Sequence, residues 1–99
     1  MVQSVENLSQ ISGRILERRP HATLADYDVV SLQVEAAAPV PGKANLLESV
    51  VGTVTQVSVR RALLGNVSKG GKLRCRARRT MDGAMCEPHP NPADFVVSD

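Results

Sequence analysis

Apolar and polar residues alternate through most of the chain, with a period of two that belongs to strands whose two faces meet different surroundings. In "QISGRILERR", Ile11, Gly13 and Ile15 share one face, with a bulge or close backbone approach expected at Gly13 and an end at Pro20. In "YDVVSLQVEAA", Val30, Leu32, Val34 and Ala36 alternate with Val29, Ser31, Gln33 and Glu35, which predicts a half-buried second strand. A third strand is expected over residues 52–61, with Thr53, Thr55, Val57 and Val59 on one side.

"KLRCRARR", residues 72–79, is the fourth strand: Leu73, Cys75 and Ala77 face inward, and Lys72, Arg74, Arg76 and Arg78 face outward. Asp82-Gly83 favours a tight hairpin reversal into a fifth strand at residues 84–87. "PHPNP" then imposes extended backbone, and "DFVV" adds a last short pairing through Phe95 and Val97.

The connections are as informative as the strands. "APVPGKANLLES" is a loop, because Pro39, Pro41 and Gly42 deny it regular pairing; Leu46 and Leu47 are expected to dip back into the core. "ALLGNVSKGG" breaks the alternation, with room for one helical turn around Ala62–Leu64 closed by Gly65 and a turn at Gly70 and Gly71.

Five strands with a short irregular link between the third and fourth predict an all-β chain: a small five-stranded antiparallel barrel whose closure hides its edges. Over residues 10–97 the element order and spacing resemble an OB-fold. That resemblance implies a binding module whose curved sheet and loops grip an oligonucleotide, an oligosaccharide or another protein.

Composition agrees with one small globular domain. Of 99 residues 42% are hydrophobic and 22% charged, values that argue against disorder as the overall state. The domain is expected over residues 10–97, after a flexible N-terminal stretch at 1–9. There is no Trp, and Tyr27 and Phe95 are the only large aromatics, so a Val- and Leu-rich core follows. No apolar run reaches the roughly 18 residues of a membrane span, and "MVQSVENLSQ" lacks the basic and apolar regions of a signal peptide. The expectation is a cytoplasmic protein with no membrane partner, in which Cys75 and Cys86 stay reduced.

Charge is the most informative part of the composition. The net charge is only +2, yet residues 60–79 hold Arg60, Arg61, Lys69, Lys72, Arg74, Arg76, Arg78 and Arg79 and no acid. Residues 80–99 carry only acids: Asp82, Glu87, Asp94 and Asp99. A polyanion responds to the local field over a face, so the expected ligand is nucleic acid, preferably single-stranded, bound without sequence readout.

The site residues are Arg60, Arg61, Lys69, Lys72, Arg74, Arg76 and Arg78, with Tyr27 as a stacking platform; Arg79 falls on the inward register. Two other readings compete. The cations could be solvated guards against edge-to-edge aggregation, or they could meet an acidic protein. The alternative function is a protein-interaction module that forms a homo-oligomer through strand edges or the apolar loop "ANLLESVV".

Other chemistry finds less footing. "GNVSKGGKL" has one residue too many and a Leu where a P-loop needs its hydroxyl, and it precedes a strand instead of a helix. "CEPH" offers Cys86 and His89 at metal-ligand spacing, with Cys75 and His21 as the only further candidates, so no metal or other cofactor is expected. Neither histidine has a triad-like context, and Asp26 and Asp28 read as solvated turn residues. An enzyme is not expected.

Overall fold

A computed structural model describes residues 6–99 as six strands: β1 (Ser9–Pro20), β2 (Tyr27–Pro39), β3 (Val54–Arg60), β4 (Lys72–Thr80), β5 (Gly83–Cys86) and β6 (Val96–Ser98). A single helical turn, α1 (Arg61–Leu64), joins β3 to β4, and short 3-10 turns lie at Glu48–Val50 and Pro92–Asp94. Residues 1–5 of the expected flexible stretch lie outside the described residues. Beyond them the chain is tied down: Leu8 N donates to Ala44 O, the Asn7 side chain bonds both backbone groups of Arg79, and β1 starts at Ser9.

The sheet order is β1-β2-β3-β5-β4, closed by pairing of β1 with β4, and β6 continues along the edge of β4 that β5 leaves unpaired. The fold is therefore the small all-β barrel that the alternation predicts, with one correction. Neighbouring β3 and β5 run parallel, with Val57 beside Ala84 and Ser58 beside Met85. Parity requires a departure of this kind: strand directions cannot alternate all the way round a closed ring with an odd number of members.

Closure needs strong bending, and the long β1–β2 hairpin supplies it through register shifts at Ser12/Gly13 and Ile15/Glu17. At Gly13 the expected close approach is present, since a Cβ there would lie 2.1 Å from the Gln33 carbonyl oxygen. The shift also moves the inward register of β2, so that Ala36 is exposed and Ala37 packs against the core instead.

Ile11 and Ile15 of β1, Val30, Leu32 and Val34 of β2, Val57 and Val59 of β3, and Leu73, Cys75 and Ala77 of β4 fill the interior. Thr55 joins the buried face, whereas Thr53 precedes β3 and is exposed. Leu47 enters from the link before β3, and Leu64 and Val67 enter from the link after it. Leu46 does not dip inward as expected; consecutive residues of this loop point to different sides, and only Leu47 fits.

Candidate polyanion-binding face

β4 positions the basic row. Its inward register carries Leu73, Cys75 and Ala77, all buried, so strand geometry turns Lys72, Arg74, Arg76 and Arg78 to the outside. On one side β4 pairs with β1, and Lys72 stands opposite Arg14, Arg74 opposite Ser12 and Arg76 opposite Gln10. Arg14 is thus an exposed fifth cation on this wall. The sequence alone does not place it there, because only the β1–β4 register brings residue 14 beside residue 72.

The other cations of residues 60–79 have separate fates. Lys69 is exposed on the turn before β4. Arg60, at the end of β3, donates to Pro88 O at 2.8 Å and faces His89 Nδ1 at 3.2 Å. Arg61 leaves the row altogether: its Nε lies 2.9 Å from Asp28 Oδ1. Arg76 stays on the wall but is paired with Asp94 at 3.4 Å. Arg79, at the inward register, runs out through the end of the barrel to donate to Leu46 O and Ser49 Oγ. Among the described residues, no carboxylate lies within ion-pair distance of Arg14, Lys69, Lys72, Arg74 or Arg78.

Tyr27 is brought to the same side of the molecule. It is half-buried at the start of β2 and lines a cavity of about 340 Å³ together with Leu8, Arg78, Met85, Cys86, Glu87 and Pro88. A guanidinium, an aromatic ring and apolar walls therefore border one groove. The acid Glu87 borders it too, as Glu35 borders the hollow lined by Lys72 and Arg74.

Asp28 corrects another expectation: only Asp26 is a solvated turn residue. Asp28 is buried, with Arg18 Nε at 2.8 Å from Oδ2 and Arg61 Nε on Oδ1. Burial alone would push its carboxyl upward, but the hydrogen bonds and charges of Arg18 and Arg61 outweigh that and hold it below the ordinary carboxylate value. Arg18 also donates to Gly65 O and Val67 O. The cluster thereby fastens the β3–β4 link, and with it the start of β4, to the barrel.

The "CEPH" residues do not converge. Cys86 is buried inside the barrel near Cys75, whereas His89 is exposed and turned to Arg60. Contact with the Cys86 thiol, reinforced by burial, pushes the Cys75 thiol well above its ordinary value. Among the described residues no group of three His, Cys, Asp or Glu side chains is placed to hold a metal ion, and no helix is long and apolar enough to cross a membrane.

No protein-family model matches the chain, and no curated protein or solved structure shows significant similarity to it.

Proposed function

We propose that the chain is a small OB-like module that binds the backbone of a nucleic acid, single-stranded by preference, along the outward wall of β4 and β1. Its ring order, its parallel β3–β5 contact and its helical turn between β3 and β4 are similar to those of an OB-fold. The observation that carries the reading is the wall itself: Arg14, Lys72, Arg74 and Arg78 share it, exposed and without acidic partners among the described residues. The groove bordered by Arg78 and Tyr27 favours a nucleic acid over a simple anion, since it offers a ring and a guanidinium plane beside the charge. With so few aromatics, stacking adds little, and affinity is modest and set by phosphate contacts.

The test is a fluorescence anisotropy titration at low salt with labelled oligo-dT, oligo-rU and, as the third arm, polyglutamate of equal length. Binding of the oligonucleotides in preference to polyglutamate supports this reading. Preference for polyglutamate transfers the wall to an acidic protein, and no binding in any arm leaves the charges as solvated guards.

A second reading, self-assembly, is favoured by one observation at the opposite end of β3. Val50, Val54 and Met81 line a common cavity beside Arg79, Met81 is fully exposed, and Leu46 and Val51 are exposed in the adjoining loop. Light scattering decides it: a defined dimer that Val54→Asp and Met81→Asp convert to monomer supports assembly through this end, and a monomer excludes it.

A further inference from the structure

Three cations of the basic run are engaged by one stretch of the same chain, residues 88–94 between β5 and β6. Arg60 donates to Pro88 O, Arg74 reaches Ala93 O at 3.4 Å, and Arg76 pairs with Asp94 at 3.4 Å. From that proposed polyanion-binding role we infer that this segment is a built-in competitor, with Asp94 occupying on Arg76 the place that a ligand phosphate takes when bound.

The segment's chemistry suits the role. Pro88, Pro90 and Pro92 have no N–H, so the stretch presents acceptors to the wall and few donors. Asn91 shapes its end: the side chain accepts from Ala93 N at 3.0 Å and its carbonyl accepts from Asp94 N at 2.8 Å. That turn directs the Asp94 carboxylate back to β4. The three-residue β6, paired with Lys72, Leu73 and Arg74, anchors the far end beside the row.

Arg76 is not fully satisfied by this arrangement. Its side chain is 31% exposed, its Nε is buried without a hydrogen-bond partner among the described residues, and Asp94 engages only the Nη2 end. A carboxylate held by one long contact is a weak competitor, which a phosphate offering several oxygens can displace. The exchange needs only the Asp94 side chain to rotate away; the barrel and β6 stay in place.

A double-mutant cycle tests the inference, using anisotropy of labelled oligo-dT with the wild type, Asp94→Asn, Arg76→Gln and the double variant at two salt concentrations, beside thermal melts. Asp94→Asn is expected to tighten binding roughly two- to fivefold, the loss of one partly exposed ion pair. The dependence of log K on log salt should keep the wild-type slope, since the same phosphate reaches Arg76 in both proteins, whereas Arg76→Gln should make it shallower by about 0.7, one phosphate contact fewer on a single strand. In the Arg76→Gln background Asp94→Asn should change nothing. Asp94→Ser is the substitute should the asparagine variant melt early. Unchanged or weaker binding by a folded Asp94 variant, while Arg74→Ala still weakens binding, overturns the competitor and leaves the binding face standing. Absence of binding by every variant overturns the binding face and the competitor together.

Discussion

Asp28 is where β1, β2 and α1 are tied together through side chains, and its two guanidinium partners come from residues 10 and 33 positions away. Asp28→Asn leaves Arg18 half-buried with no anion and should cost about 2–4 kcal/mol, less than a fully buried pair because half of the Arg61 side chain is exposed. Chemical denaturation of the variant beside the wild type measures it. The folded carboxyl titrates below the unfolded one, so the cluster's contribution is complete above roughly pH 4 and drains away as pH falls through the lower folded value. Asp28→Asn should therefore flatten the acid limb of the stability curve, and an unchanged limb would show that other acids govern it.

The thiols make a second residue-scale prediction. Cys75 and Cys86 are both essentially inaccessible and the Cys75 thiol is held in its protonated form, so neither should react with Ellman's reagent until the protein is unfolded. Rapid labelling of the native protein would mean that β4 and β5 separate readily.

At the scale of elements, strand register decides which charges meet. Lys72, Arg74, Arg76 and Arg78 were legible as one outward row, because a period-two pattern needs no knowledge of neighbouring strands. Arg14 was not legible, since its place beside Lys72 depends on the β1–β4 register. Nor were the partners of Arg61 and Arg76, because ion pairs between distant segments leave no local pattern. Leu46 and Leu47 are chemically identical, so sequence could not say which one the barrel admits.

Gly13 is legible for a local reason: a glycine inside a strand marks either a bulge or a close backbone approach, and here it marks both. Gly13→Ala would drive a methyl group against the Gln33 carbonyl and should destabilise the barrel by about 1–3 kcal/mol, measured by thermal or urea melts. A neutral effect would mean that the β1–β2 bend has slack. On the outward face the expectation is opposite: Arg74→Glu with Arg78→Glu should leave the melting curve nearly unchanged while removing oligonucleotide binding.

For the whole molecule, the distribution of charge matters more than its sum. A net charge of +2 would not draw a polyanion, but the acids are placed unevenly: Asp28 is used up inside the barrel and Asp94 on Arg76, which leaves Arg14, Lys72, Arg74 and Arg78 on one wall without an acidic partner among the described residues. These four, joined by Arg76 once a phosphate displaces Asp94, set the expected salt response. The most direct measurement is the affinity of the wild-type protein for labelled oligo-dT across a salt series. Binding along this wall predicts a straight fall of log K with log salt at a slope of about −3.5, five phosphates neutralised on a single strand. A flat line, or no association even at the lowest salt, would contradict it.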